Sequence, residues 1–217
     1  GDSELQGIIY TPTRSGFLEN VVKIDLGKNH GVALVGEAPD YIGYYMWGSN
    51  EYGQLMLGED IEHMEDAIYR ELDEGDVLTG MAVGDGFTAM LINKKPYLVG
   101  SNSRGQIGPE EVYGDKVDYL VPIGEDKTFS RVDCGSDFTV FVGDSIYTYG
   151  NNEYGQLGTG IGEDKSYELN KIGEFETNRI SAEGHNTIFR DAETNIVYGF
   201  GKNNDGNLGL GHTNMVD

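Results

Sequence analysis

An all-β fold made of four-stranded meander blades, a β-propeller, is what this sequence of 217 residues predicts. Three observations carry that expectation. A nine-residue block occurs four times, its first glycine falling at 48, 100, 150 and 201, at intervals of 52, 50 and 51. A second shared block lies upstream of each copy. Composition agrees: 33 glycines are roughly twice the average share, whereas prolines number only five, which argues for tight turns at fixed places rather than a disordered linker.

The four copies read Trp47-Gly48-Ser49-Asn50-Glu51-Tyr52-Gly53-Gln54-Leu55, Val99-Gly100-Ser101-Asn102-Ser103-Arg104-Gly105-Gln106-Ile107, Tyr149-Gly150-Asn151-Asn152-Glu153-Tyr154-Gly155-Gln156-Leu157 and Phe200-Gly201-Lys202-Asn203-Asn204-Asp205-Gly206-Asn207-Leu208. The upstream block runs Lys23 to His30 in the first unit and Arg131 to Thr139 in the third. Gly84 with Phe87-Thr88 fills its columns in the second unit, and Glu183 with Asn186-Thr187 in the fourth. Glu183 is a departure, because the other three units carry glycine there.

The third unit shows how each becomes a meander. Phe129–Cys134 is an expected short strand ending at a glycine turn, and Phe138–Val142 a second. Gly143-Asp144 is a hairpin turn, and Ser145–Tyr149 alternates as a third strand. The following Gly/Asn-rich loop suits positive φ. Tyr167–Ile172 is the expected outer strand, matching Asp118–Ile123 one unit earlier. Unit boundaries are expected near 17–76, 77–128, 129–176 and 177–217 within one domain, with 5–14 as an outer strand of a preceding or closing blade. One segment, Glu59–Gly75, lengthens the first unit. Its Ile61, Met64, Ile68 and Leu72 stand at near-helical spacing, so a short amphipathic helix over the blades is expected there, with a solvated acidic loop as the alternative.

Acidic side chains number 37 against 15 basic, a formal charge of -22, and no Lys/Arg cluster occurs. Nucleic-acid binding needs a basic footprint and is not expected. Cys134 is the only cysteine, so no internal disulfide or cysteine metal site is expected. No apolar run approaches a membrane span, and an intracellular protein, cytoplasmic or nuclear, is expected. The four histidines, His30, His63, His185 and His212, sit on different repeat elements without metal spacing, and His30 is expected to pack or hydrogen-bond within its column. No nucleophile elbow or phosphate loop is present, so no enzyme and no cofactor is expected.

One pattern suggests a binding surface. After each Gly-Gln-Leu/Ile loop stands an acidic pair: Glu59-Asp60, Glu110-Glu111 and Glu163-Asp164. The first and third loops of a meander blade emerge at the same end, so these pairs, with Asp85 and Asp137, form the expected docking face for a basic protein partner.

The paired blocks resemble the regulator of chromosome condensation repeat, in which cysteine/alanine-glycine-x-x-histidine-threonine is followed by tryptophan-glycine-x-asparagine-x-x-glycine-glutamine-leucine-glycine. Cys134-Gly135, Phe138-Thr139 and Gly150–Gly160 match it best, and the resemblance spans about residues 20–212. It implies a propeller of seven blades, of which four units form a portion; closure of the four alone or with a second copy is the alternative, and an open arc is expected to self-associate. It also implies protein-interaction scaffolding, or guanine-nucleotide exchange on a Ran-like small GTPase. Fold membership alone does not choose between them.

Overall fold

Period-2 alternation between Gly, Asn and Asp turns folds locally into hairpins, and each unit of the chain becomes one antiparallel meander. The computed structural model describes residues 9, 11–14, 18–37, 40–58, 60–160, 162, 164–177 and 179–214. The first blade comprises β1 (Val21–Leu26), β2 (His30–Glu37), β3 (Asp40–Ser49) and β4 (His63–Glu71). The second has β5 (Leu78–Val83), β6 (Phe87–Ile92), β7 (Lys95–Ser101), a one-turn helix α1 (Glu110–Tyr113) and β8 (Lys116–Pro122). The third is β9 (Arg131–Cys134), β10 (Phe138–Val142), β11 (Ile146–Asn151) and β12 (Lys165–Ile172). The fourth shows three strands among the described residues, β13 (Arg179–Glu183), β14 (Asn186–Arg190) and β15 (Val197–Gly201). The first two blades run into one eight-stranded sheet through the bridge between Tyr41 and Leu78. Residues 5–8 and 10 of the strand expected at 5–14 lie outside the described residues.

The apolar core lies between blades rather than within them. Val32, Leu34, Met46 and Leu55 of the first blade pack on Leu78, Met81 and Met90 of the second. Phe87, Leu91, Leu98 and Ile107 of the second meet Val132, Phe141, Tyr147 and Tyr149 of the third. Phe138, Val140, Ile146 and Leu157 meet Ala182 and Phe189 of the fourth. The far side of the first blade exposes Val22, Ile24 and Leu26 at 54, 63 and 65%. Ile24 and Leu26 occupy the columns of Val132 and Cys134, which are 5% exposed against the second blade.

The glycine that opens each motif has a steric reason. Gly48, Gly100, Gly150 and Gly201 have φ of 99°, 116°, 113° and 112°. A Cβ there would run into the carbonyl oxygens of Asn29, Gly86, Asp137 and His185 across the hairpin. The glycine-to-outer-strand pairing also slips at this point in three blades, giving a β-bulge.

The helix expected within Glu59–Gly75 is corrected, because the structure has strand β4 there. Met46 pairs with Ile68 and Gly48 with Met64, so two positions of β3 span four of β4. Side chains four apart share a face of any extended strand, and Met64 and Leu72 pack on the core of the first interface. Val117 and Val121 opposite Gly100 and Leu98 repeat the pattern. The departure at Glu183 also resolves. Gly84 and Gly135 lie against the rings of Phe87 and Phe138, whereas Asn186 places no ring beneath Glu183.

Inner strands are stapled across blades by aspartates. Asp25 accepts from Leu26 N–H and, in the next blade, from Val83 N–H at 3.0 Å. Asp133 accepts from Cys134 N–H at 3.1 Å and from Ala182 N–H at 2.9 Å. Burial, opposed by the Ala182 N–H bond and reinforced by the charge of Asp25, pushes the Asp133 carboxyl up to about 6. The folded state thus holds this proton more tightly than the unfolded chain, so Asp133 contributes stability that grows as pH falls through about 6 and is lost at higher pH. Urea unfolding of the wild type and Asp133→Asn, compared at pH 7.5 and pH 4.5, should show the wild type gaining about 2 kcal/mol on the variant at the lower pH. A pH-independent difference between the two proteins would contradict the assignment.

Candidate functional site

The loops that carry the acidic residues are held by the motif itself. Asn50, Asn102, Asn152 and Asn203 each turn the side-chain oxygen inward to accept the N–H of Leu55, Ile107, Leu157 and Leu208, at 2.9, 3.0, 3.0 and 3.2 Å. The amide nitrogens of three of them donate to carbonyls further along the same loop, Asn50 to Ile61, Asn102 to Gly114 and Asn203 to His212. Gln54, Gln106 and Gln156 accept from the N–H two residues earlier, at Tyr52, Arg104 and Tyr154. The closed loop delivers Leu55, Ile107 and Leu157 into the interblade cores, where each is fully buried. These Asn and Gln side chains satisfy buried backbone polar groups, which is why the motif needs amides there.

Register places the β3–β4, β7–β8 and β11–β12 loops beside the turns that precede β2, β6 and β10, because His30, Phe87 and Phe138 pair with Gly48, Gly100 and Gly150. Asp60, Asp85, Glu110, Glu111 and Asp164 are exposed in these segments, Glu110 and Glu111 on α1. None of the five forms an ion pair among the described residues. Glu59 and Glu163 lie outside the described residues. Lys116 and Lys165 open β8 and β12 at the same end, and Arg104 pairs with Glu153 at 2.9 Å.

Asp137 stands apart from the expected face. It is 5% exposed, and its carboxylate accepts from Asn151 Nδ2 at 2.8 Å and Gln156 Nε2 at 3.1 Å. His185 Nδ1 of the fourth blade lies 3.5 Å away, under the ring of Tyr154. Asp137 is thus a loop anchor, which the sequence pattern did not separate from its exposed neighbours. His30 behaves as expected: it is buried, its Nε2 lies 2.9 Å from Thr88 Oγ1, and burial lowers it to about 4, so the ring is neutral. Cys134 is buried and its thiol is raised well above the ordinary range by burial. Among the described residues no group of three or more His, Cys, Asp or Glu could hold a metal ion, and no helix is long and apolar enough to cross a membrane.

Blades of four antiparallel strands joined by amide-stapled loops define a β-propeller repeat protein. Comparison with known proteins agrees. The chain is 31% identical over 205 residues to the ultraviolet-B receptor UVR8 of Arabidopsis thaliana, covering 88% of this chain and 43% of the receptor. It is 24% identical over 200 residues to the human probable E3 ubiquitin-protein ligase HERC3, covering 90% of this chain and 19% of the ligase. Its fold matches human WBSCR16 with a TM-score of 0.73 at 18% identity, over 88% of this chain and 50% of that one. It matches Prp20p of Saccharomyces cerevisiae with a TM-score of 0.68 at 17% identity, over 84% and 44%. No protein-family model matches. The chain belongs to the regulator of chromosome condensation repeat family of β-propellers, and it spans less than half the length of these two curated relatives.

The loop staple is directly testable. Asn102 is 1% exposed and accepts from both Ile107 and Gly108 while donating to Gly114. Asn102→Ala should lower unfolding free energy in urea by about 2–4 kcal/mol, with Asn102→Asp, which keeps the acceptor, falling between.

Proposed function

We propose that this chain is a protein-interaction propeller of the regulator of chromosome condensation type that docks a partner with a basic surface through its acidic loop end. The observation that carries the reading is the set of five exposed carboxylates, Asp60, Asp85, Glu110, Glu111 and Asp164, brought to one end of successive sheets without ion-pair partners among the described residues. Glu59 and Glu163 adjoin Asp60 and Asp164 in sequence. Asp137 is left out, because its charge is already engaged by Asn151 and Gln156. A net charge of -22 steers a basic partner at long range, and the loop carboxylates orient it on contact. The unit boundaries expected from the sequence, and a single propeller-type domain, fit this reading.

The structure reported for Prp20p concerns its binding to Gsp1p and histones, so histones are a suitable basic probe. Changing Asp60, Asp85, Glu110, Glu111 and Asp164 to lysine should slow histone association at low salt about tenfold or more by stopped-flow fluorescence. The same number of charge changes cannot be matched at the opposite end by Asp73, Glu74 and Asp76 alone, so those three serve as a control expected to have less effect per charge. Equal effects per charge at the two ends would remove the docking face.

Exchange-factor activity is the second reading, favoured by the likeness to Prp20p and the Gsp1p binding named for it. Such a factor makes no covalent bond; it stabilises the nucleotide-free state by differential contacts. It should accelerate release of a fluorescent GDP analogue from Gsp1p about tenfold or more at micromolar protein. Unchanged release across a panel of small GTPases would leave the scaffold reading alone.

A further inference from the structure

Between the second and third blades a groove of about 440 Å³ lies along the outer side of the molecule. It extends from Pro109 and Tyr113, ahead of β8, to Gly124 and Asp126, which follow it, and β12 forms the opposite wall. Its volume falls in the range of sites that enclose a few side chains or a small ligand. The floor is apolar and polar-satisfied: Tyr149 is buried and its hydroxyl donates to the Ile107 carbonyl at 2.9 Å. Tyr113 and Leu169, only partly buried, stand over that floor against the core between these blades. Tyr167 is 40% exposed on the β12 wall. An apolar body with phenolic edges is the surface that holds an extended peptide by one anchored side chain.

The charges around the groove select the peptide. Asp126 and Glu168 line it. Glu111 and Glu110 approach Tyr167 closely enough to add to burial in raising its phenol. Lys127 is the one cation among the lining residues, and its ammonium is taken up over the Tyr147 ring at 5.3 Å. An acidic peptide or a nucleic acid meets uncompensated repulsion here, whereas lysine and arginine find partners at both ends.

We propose that this groove binds an extended basic segment of a partner protein, seating one aromatic or aliphatic side chain against Tyr149 and Leu169 while flanking lysines or arginines meet Glu110 and Glu111 at one end and Asp126 and Glu168 at the other. The site shares Glu110 and Glu111 with the loop surface but stands on the groove, so either can fail without the other.

The probe is a fluorescein-labelled peptide with phenylalanine and leucine flanked on each side by lysine and arginine, titrated with the whole chain in fluorescence polarisation. Binding should saturate, weaken about tenfold when glycines replace phenylalanine and leucine, and weaken about tenfold with Glu110→Lys plus Glu111→Lys. Asp60→Lys plus Asp85→Lys should change it less than about twofold. A photo-crosslinking phenylalanine analogue in the peptide should label β11, β12, α1 or residues 122–127 of the unaltered chain, a readout that needs no variant to fold. Equal binding of the glycine peptide, equal loss with the Asp60 and Asp85 changes, or labelling of other segments would each overturn the proposal.

Discussion

Everything in this structure depends on the apolar contact between one blade and the next. A four-stranded meander has two faces and too little thickness to bury its own side chains, so each sheet is completed by its neighbour. The three clusters are all of this kind, with aliphatic and aromatic side chains of two blades interleaved. Complete burial of one leucine or isoleucine contributes about 1.5–3 kcal/mol, and the Gly-Gln-Leu/Ile loop supplies one such residue to each contact, at Leu55, Ile107 and Leu157. The repeated motif is in this sense a device for placing an aliphatic side chain between blades. Its glycine permits close approach across the hairpin, its asparagine closes the loop, and its glutamine ties down the turn.

Because those amides meet the polar demands of the loops internally, the residues between the motif columns are free for other work. Neighbouring turns show how finely this divides. Asp85 points outward, and the next position is Gly86, packed beside Tyr52 and Ser101. One blade on, Ser136 takes the place of Asp85, and Asp137 takes the place of Gly86 and turns inward to Asn151 and Gln156. Two carboxylates one column apart thus serve opposite purposes, one toward solvent and one toward the loop interior.

The fold was legible in the sequence to an unusual depth. The four units, the meander within each and the hairpin and outer strands of the third unit follow from glycine spacing and period-2 alternation, and β9 to β12 lie close to where that reading puts them. The failure at Glu59–Gly75 has a definite origin. Positions four apart share a face of an extended strand as they do of a helix, so Met64, Ile68 and Leu72 imitate helical periodicity on and beside β4. Val117 and Val121 of β8 stand at the same spacing on an outer strand.

The sequence by itself determined the repeat, its strand order and its family, because turn chemistry and alternation are local properties that survive without knowledge of neighbours. Tertiary structure alone decided which charges are available and where a concavity opens. Asp137 became a buried anchor, Asp133 a cross-blade staple with a raised pKa, and Tyr113, Tyr149 and Tyr167 came together from three separate elements to line one groove. Each of those outcomes depends on what the adjacent blade or loop places within a few ångströms, and no local pattern of side chains carries that information.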